Sequence, residues 1–290
     1  MKYEIGIPLR DNAATVAHVV RAALAQKPPP QQVWVCDDGS LDDGPERARR
    51  AGATLVRHDH PRGLGAARNT LLGVCDADIV VFFDADAIPR PGTAAALLAP
   101  FTDNDVAAVG GRGVEAAHAT FADRWRAAHT PQSHGLEPLD DDWMVMGLCV
   151  AFRVAALREA GNFDADFTSC GEDVEMSLRL RARGGRLAYR PDAIVDHARS
   201  DDCRGVLRQA WRHNRAAARA LLLHGQATGA LTLVACRNLW PACGRALRHL
   251  DLPRAAFALV NLLVRVTALR WPLWRSYSER AQHLRDGRKT

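Results

Sequence analysis

Short apolar runs that favour strands alternate with helical patterns over the first two-thirds of this 290-residue chain. The runs that predict strands are Tyr3–Ile7, Val33–Cys36, Ala53–Val56, Ile79–Phe83 and Val106–Val109. The helical patterns between them are Thr15–Ala25, Gly65–Gly73 and Pro91–Leu98. Strands that alternate with helices form a largely parallel sheet with both faces covered. The chain is therefore predicted to be an α/β protein whose ligands bind beyond the carboxyl ends of the strands.

The pattern changes near residue 202, after which no strand-like run occurs. We predict a catalytic domain over residues 1–202 and a basic helical region over residues 203–290. Residues 1–200 hold 22 basic and 28 acidic side chains, a net charge of −6, whereas residues 201–290 hold 16 and 5, a net charge of +11. A basic tail on an acidic body predicts an anionic partner, such as a membrane surface.

The basic region contains two apolar stretches, Leu221–Cys236 and Ala255–Leu269, which polar residues interrupt. Both fall short of the roughly 20 apolar residues of a spanning helix, so packed or interfacial helices are expected. Arginines recur every three or four residues and share one helix face: Arg204, Arg208, Arg212, Arg215 and Arg219. A stripe of Leu207, Trp211, Ala218 and Leu222 lies beside them.

The end of the chain mixes aromatic and basic residues, which favours an anchor at a membrane interface. The residues concerned are Arg265, Arg270, Trp271, Trp274, Arg275 and Tyr277. No signal-peptide pattern precedes the first strand-like run. A cytoplasmic protein, peripheral on the cytoplasmic membrane face, is therefore expected.

Two carboxylates one residue apart, Asp84 and Asp86, follow the apolar run Ile79–Phe83. Residues i and i+2 of an extended chain point the same way, so both carboxylates can face one divalent cation. Mg²⁺ and Mn²⁺ prefer such oxygen ligands and complete their coordination with water or diphosphate oxygens. A bare D-x-D pattern also occurs by chance on protein surfaces, so the preceding strand is what supports a metal site.

Three further polar groups stand at the ends of predicted elements. Asp37 and Asp38 follow a strand, where acidic residues also serve in ordinary turns. Glu172 and Asp173 open a helical pattern, where they either stabilise the helix terminus or supply a general base. His197 follows the run Ala193–Val195 and is either a structural histidine or part of a site with the carboxylates.

The order of these pieces resembles the family-2 glycosyltransferases over about residues 1–200. The residues that carry the resemblance are Ile7-Pro8, Asn12, Cys36-Asp37-Asp38-Gly39-Ser40, Gly63-Leu64-Gly65-Ala66-Ala67-Arg68-Asn69, Phe83-Asp84-Ala85-Asp86, Gly171-Glu172-Asp173 and Asp196-His197. The resemblance implies a GT-A type fold, a Rossmann-like mixed and mostly parallel sheet flanked by helices, followed by a C-terminal helical extension.

The resemblance also implies a role for each matching residue. Pro8, Asp37 and Asp38 would line the nucleotide pocket, with Arg68 near the donor phosphates. Asp84 and Asp86 would hold a metal-diphosphate, Asp86 as the closer ligand and His197 as a further ligand. Asp173 would be the base, and Glu172 would support it or contact the acceptor.

The activity implied is inverting transfer from a UDP-, GDP- or dTDP-sugar to an acceptor hydroxyl, with Mn²⁺ or Mg²⁺. The acceptor is expected to be lipid-linked or a glycan, no nucleic-acid partner is expected, and a homodimer is left open. Processive synthases of the family carry Gln-x-x-Arg-Trp, whereas this chain has Gln209-Ala210-Trp211-Arg212. Transfer of a single sugar is therefore predicted.

Other classes of enzyme and binding protein share parts of this pattern. A phosphatase of the haloacid dehalogenase type carries D-x-D on its first strand and needs a downstream lysine, but only Lys289 follows here. A P-loop enzyme is excluded because no GxxxxGK[ST] occurs. A nucleotidyltransferase of related fold and a catalytically silent sugar-nucleotide-binding protein remain as alternatives.

Overall fold

The structure is a computed structural model that describes residues 1–249 and 251–270. The strands are β1 Tyr3–Leu9, β2 Val33–Asp37, β3 Thr54–Arg57, β4 Ile79–Phe83, β5 Ala87–Pro89, β6 Val106–Glu115, β7 Cys149–Arg153 and β8 Arg186–His197. The helices are α1 Val16–Leu24, α2 Gly44–Arg50, α3 Leu64–Val74, α4 Thr93–Leu98, α5 Phe121–His129, α6 Val154–Glu159, α7 Glu172–Ala182, α8 Cys203–Leu223, α9 Gly229–Arg248 and α10 Leu252–Arg270. A short 3₁₀ helix spans Ala99–Thr102.

All eight strands belong to one sheet in the order β3-β2-β1-β4-β7-β6-β8-β5. The strands β1 to β4 pair in parallel, and β7 inserts antiparallel between β4 and β6. As a result β6 and β8 again run in the direction of β1, while β5 pairs antiparallel to β8 at the edge. The carboxyl ends of β1, β2, β4, β6 and β8 therefore lie along one edge of the sheet. The predicted α/β fold with a mixed, mostly parallel sheet is confirmed.

Helices cover both faces of the sheet, which is why the strands are apolar throughout. In β4, Val81 and Phe83 face the core that contains α1 and α4. Val80 and Phe82 of the same strand face the core that contains α3, α6 and α7. The continuous apolar run that predicted this strand is thus the pattern of a central strand buried on two sides.

The elements that the sequence did not predict lack a clear local pattern. β5 has three residues, and α2 consists largely of charged residues. β7 comes directly before α6 without a turn signal, and only the last part of β8 was predicted. β8 pairs irregularly with β6 where the register shifts between Gly110 and Arg112, and it contains the charged and proline-interrupted stretch 190–192.

The chain divides into two compact units. The first comprises Met1–His118 and Pro131–Ser200 and contains the whole sheet. The second combines Ala119–Thr130 with the residues from Asp201 onward, so α5 belongs to it although the sequence suggested one unbroken domain over residues 1–202. Trp125 of α5 is buried in the same cluster as Leu239 of α9 and Leu262 of α10.

In the second unit, α10 packs along α9 and α8. Within the described part of the chain, α10 has one stretch, Leu252–Leu269, that is long and apolar enough to cross a membrane by length and composition. This stretch begins three residues before the predicted run Ala255–Leu269, and a core helix of a soluble protein passes the same test. The packed or interfacial character of the helix stays a prediction. Trp271, Trp274, Arg275 and Tyr277, predicted to form an interfacial anchor, lie outside the described residues.

Candidate active site

Acidic residues and one histidine collect at the carboxyl edge of the sheet. Asp37 ends β2, Asp84 follows β4, Glu115 ends β6 and His197 ends β8. β7 runs the other way and therefore begins at this edge, where Cys149 pairs with Phe83. The sheet topology thus collects side chains that are far apart in sequence, as expected for a ligand crevice in an α/β fold.

The carboxylates at the end of β2 are both buried and occupied. Asp37 Oδ1 accepts a hydrogen bond from the Ser40 N–H at 2.8 Å, and its Oδ2 lies 3.0 Å from Arg57 Nε. Asp38 accepts hydrogen bonds from the backbone N–H groups of Arg62 at 2.7 Å and Gly63 at 2.8 Å. Its Oδ1 also lies 2.7 Å from His58 Nδ1.

Through these contacts Asp38 fixes the position of the backbone segment that precedes α3. Burial acts to raise the pKa of Asp38, but the hydrogen bonds from Arg62, His58 and Gly63 outweigh it and lower the pKa below its usual value. His58 is itself fixed, because its Nε2 lies 2.8 Å from the Thr70 hydroxyl. Pro8, the third residue predicted to line the nucleotide pocket, is buried in β1 opposite Cys36 of β2.

The carboxylates after β4 have different surroundings. The Asp84 side chain is 35% exposed, and burial of its carboxyl group raises the pKa despite the neighbouring Arg68. Asp86 Oδ2 lies 3.6 Å from His197 Nε2, beyond ordinary hydrogen-bond distance. Burial acts to raise the pKa of Asp86, but His197 outweighs it and lowers the pKa.

Glu115 is a residue of this group that the sequence did not single out. It stands opposite His197 in the pairing of β6 with β8, and its Oε1 lies 3.1 Å from His197 Nδ1. Burial acts to lower the pKa of His197, but Asp86 and Glu115 outweigh it and raise the pKa to about 9. The position of Glu115 at the end of a long strand could have marked it as a site residue in the sequence. The strand register that brings it next to His197 has no local sequence pattern.

The motif Gly63–Asn69 is bound to another segment of the chain, not open to solvent at its helix start. The N–H groups of Leu64 and Gly65 donate to the carbonyls of Thr168 and Phe167, at 2.9 and 3.1 Å. The Asn69 side chain forms two hydrogen bonds with the backbone of Phe163, each at 2.8 Å.

Both glycines of the motif allow this close approach. A Cβ at Gly63 would lie 2.6 Å from Thr168 Cα, and a Cβ at Gly65 would lie 2.6 Å from the Asp164 carbonyl. The motif therefore holds the segment 163–168, which leads directly to the start of α7.

Arg68 of the same motif is 1% exposed and connects three elements. Its Nη1 lies 2.8 Å from Glu172 Oε1, and its Nη2 contacts Asp84 Oδ1 at 3.2 Å and donates to the Gly147 carbonyl at 2.9 Å. The rings of Phe82 and Phe163 lie within 6 Å of the guanidinium carbon. Burial acts to lower the pKa of Arg68, but Glu172, Asp84 and Asp173 outweigh it and raise the pKa.

The sequence prediction placed Arg68 near the donor phosphates, and this stays a prediction: Arg68 lies 3.2 Å from Asp84, one of the predicted metal-diphosphate ligands. The guanidinium is enclosed by two carboxylates, a carbonyl and two aromatic rings, and its Nε has no hydrogen-bond partner. The position of Arg68 suits an organising role for Asp84 and Glu172.

Glu172 and Asp173 open α7 next to Arg68. Glu172 is 2% exposed, and its Oε2 has no hydrogen-bond partner. Burial, partly offset by Arg68, raises the pKa of Glu172 to about 8. Asp173 is half-buried, and its Oδ2 accepts a hydrogen bond from the Gly147 N–H at 2.9 Å. Its Oδ1 accepts from the Val174 N–H at 2.8 Å.

The structure therefore brings Arg68, Asp84, Glu172 and Asp173 into one connected group through Gly147. Asp86, His197 and Glu115 form a second group, joined to the first by the two-residue step from Asp84 to Asp86. Asp37 and Asp38 stand apart, two strands away at the end of β2.

A divalent ion fits the second group by the chemistry of its donors. Among the described residues no three His, Cys, Asp or Glu side chains are grouped as ligands of one ion. The separation of 3.6 Å between Asp86 and His197 is close to the roughly 3 Å between neighbouring ligands of an octahedral Mg²⁺ or Mn²⁺. Glu115 at Nδ1 is the type of partner that orients metal-binding histidines. The remaining ligands would come from Asp84, the substrate and water.

The fold is that of GT-A glycosyltransferases. The structure matches the mannosyltransferase PcManGT from Pyrobaculum calidifontis, solved with GDP-Man and Mn²⁺, with a TM-score of 0.69 and 20% identity over 94% of this chain and 88% of that one. It matches glucosyl-3-phosphoglycerate synthase from Mycobacterium tuberculosis with a TM-score of 0.56 and 22% identity, over 76% and 78% of the two chains.

The chain belongs to glycosyl transferase family 2, whose sequence model matches residues 4–161. It is 30% identical over 236 residues to the pre-mycofactocin glycosyltransferase of Mycobacterium tuberculosis, covering 78% of this chain and 49% of that protein. This chain thus spans about half the length of that relative. The predicted family and GT-A fold are confirmed.

Proposed function

We propose that this chain transfers a single sugar, with inversion, from a nucleoside-diphosphate sugar to an acceptor hydroxyl. The observation that carries the proposal is the group formed by Arg68, Asp84, Glu172 and Asp173, adjacent to Asp86 and His197 at the ligand edge of the sheet. Relatives of similar fold were solved with GDP-Man and Mn²⁺ or with UDP-Glc, Mn²⁺ and phosphoglyceric acid, which supports a nucleotide-sugar donor with either base.

The donor would lie along the carboxyl edge from β2 to β4. Pro8 and Asp37 would border the nucleotide, while Asp38 would act through the segment 61–63 that it holds. Asp84, Asp86 and His197 would hold Mn²⁺ or Mg²⁺, which when bound neutralises charge on the diphosphate leaving group. Glu115 would orient the His197 ring by accepting a hydrogen bond from the Nδ1–H group.

Asp173 is the proposed general base, and its two backbone hydrogen bonds fix the direction of its carboxylate. It would take the proton of the acceptor hydroxyl as that oxygen attacks the anomeric carbon. The new carbon–oxygen bond forms on the face opposite to the departing diphosphate, so the configuration inverts. Glu172 would keep Arg68 in place and border the acceptor.

The acceptor class is part of the proposal, since this chain spans about half the length of the pre-mycofactocin glycosyltransferase that it matches. A hydroxyl of a lipid-linked sugar or of a glycan remains the proposal, in a cytoplasmic protein that reaches the membrane face peripherally.

The experiment that tests the base is Asp173→Asn, which keeps the shape and removes the basic oxygen. Nucleoside-diphosphate release from UDP-Glc, GDP-Man and dTDP-Glc would be measured with Mn²⁺, with water or an added glycan as acceptor. Turnover should fall about 10²- to 10⁴-fold, while calorimetric affinity for the nucleoside diphosphate is unchanged.

Asp141→Asn is the matched control, because Asp141 is exposed and pairs with Arg181. It should retain wild-type turnover. Near-normal turnover of Asp173→Asn would assign the proton to another group. Binding of a donor without any turnover by the wild type would favour the catalytically silent sugar-nucleotide-binding protein.

A further inference from the structure

The outward face of α10 is apolar and open to solvent. Leu252, Leu259, Val260 and Leu263 are 62%, 45%, 43% and 55% exposed. Their spacing places them on one side of the helix. Ala256 and Thr267, also exposed, lie in the same sector, so this side of α10 carries no charge over four turns.

The inward side of α10 packs Ala258 and Leu262 into the core of the second unit and also buries two polar residues. Arg265 is 8% exposed, and its Nε donates a hydrogen bond to Asn261 Oδ1 at 2.8 Å. The amide-bearing Asn261 is itself fully buried. A surface helix of a water-soluble protein carries its charges outward, whereas α10 is apolar on its outward side as well as on its inward side. The outward side of α10 is therefore built for a partner other than water.

The charge of the surrounding unit selects the chemistry of that partner. Residues 201–270 contain eleven arginines and three aspartates. On α9, which packs along α10, Arg237, Arg245 and Arg248 are exposed, together with Trp240 at 67%. A second copy of this chain would bring the same positive charge against it. An anionic lipid surface matches the apolar stripe and the arginines at once.

We propose that the stripe formed by Leu252, Leu259, Val260 and Leu263 docks on an anionic membrane, with α10 lying in the plane of the surface. The leucines would enter the boundary between headgroups and acyl chains, and arginines of the same unit would contact lipid phosphates. One-third of the Leu252–Leu269 stretch is buried, and the helix packs along α9 and α8, which favours lying flat over spanning. This surface differs from the arginine face of α8 that the sequence suggested, and it does not depend on the proposed transferase activity.

The test is sedimentation of the full chain with vesicles of phosphatidylcholine alone or with about one-third phosphatidylglycerol. At low salt the wild type should bind the anionic vesicles at least tenfold better than the vesicles of phosphatidylcholine alone. Added salt should weaken this binding, because it screens the attraction between arginines and lipid phosphates. Leu259→Glu combined with Leu263→Glu should lower binding to anionic vesicles at least tenfold. Both side chains are largely exposed, so the variant should keep the wild-type melting temperature and circular dichroism.

The matched control is Leu24→Glu, which adds a charge at a leucine 41% exposed in α1 of the first unit. It should bind vesicles like the wild type. Undiminished binding by the double variant, or no vesicle binding by the wild type, would overturn the proposal. A wild-type dimer that the double variant converts to a monomer would assign the stripe to a second copy. Retention on vesicles after an alkaline carbonate wash would indicate a spanning helix and would also overturn it.

Discussion

Two strands of the sheet, β2 and β4, each lead into two nearby aspartates at the same edge. In the first pair, both carboxylate oxygens of Asp38 accept hydrogen bonds from backbone N–H groups, and one of them also contacts His58. In the second pair, Asp84 keeps 35% of its side chain exposed, and Asp86 faces His197 without a close hydrogen bond. Similar acidic motifs at equivalent strand ends therefore have different roles. The motif after β2 fixes the backbone of another segment, whereas the motif after β4 remains available to a ligand.

The largest effect that this comparison predicts is on stability. Asp38→Ala would leave two backbone N–H groups and His58 without their acceptor, and should lower the free energy of unfolding by about 3 kcal/mol. Asp84→Ala should lower it by less than about 1 kcal/mol, because Arg68 keeps Glu172 and the Gly147 carbonyl as partners. Urea denaturation followed by circular dichroism measures both, and equal losses would break the comparison.

Gly147 offers a second test of the comparison, because it lies against the Arg68 guanidinium that contacts Asp84. A Cβ at this position would lie 2.6 Å from both terminal nitrogens of the guanidinium. Gly147→Ala should therefore displace Arg68, cost about 2 kcal/mol of unfolding free energy and reduce turnover, since Gly147 also positions Asp173. The matched control is Gly73→Ala in α3, where a Cβ meets nothing within 4 Å and should be neutral or slightly stabilising. Wild-type stability and turnover of Gly147→Ala would refute the link.

Because Asp84 and Asp86 remain available to a ligand, we predict that a divalent metal ion strengthens nucleotide binding. Calorimetry with UDP or GDP should show tighter binding with Mn²⁺ than with chelator, since carboxylates alone repel the diphosphate. Asp86→Ala should lose at least tenfold of this enhancement, about 1.4 kcal/mol, and Asp84→Ala less. His197→Ala should weaken it more modestly. Metal-independent affinity in the wild type would remove the proposed metal role.

The smallest effect is the pH dependence of the first pair. The pKa of Asp38 is lowered in the folded state, so its ionised form contributes stability above the unfolded pKa of about 3.9. That contribution is lost as the pH falls from about 4 through the lower folded value. The stability difference between wild type and Asp38→Asn should be constant from pH 5 to 7 and shrink at pH 3. A difference that persists unchanged at pH 3 would contradict this assignment.

The parts of the site that were predictable from sequence are those with a local cause. A continuous apolar run followed by Asp84 and Asp86 identifies a central strand and its ligand end, because both faces of β4 are buried. Glu172 and Asp173 were recognisable as the first turn of a helix. The order of these local signals along the chain was enough to predict the family, which the family match confirms.

The remaining features depend on contacts between distant segments, which no local pattern encodes. Glu115 reaches His197 only because β7 inserts antiparallel and β8 then pairs with β6 in the shifted register. The burial of Arg68 depends on Phe163 and Glu172, about a hundred residues later. The assignment of α5 to the helical unit depends on Trp125 meeting side chains of α9 and α10.

The fit between the motif Gly63–Asn69 and the segment 163–168 has a consequence for building chimeras of this enzyme family. Each glycine of the motif leaves room for one atom of the other segment, and Asn69 matches the backbone of Phe163 on both sides of its amide. Exchanging the loop before α7 alone, in order to alter acceptor choice, would separate this loop from the residues 63–69 that bind it. Residues 63–69 and 163–173 should therefore be transplanted together and taken from the same parent.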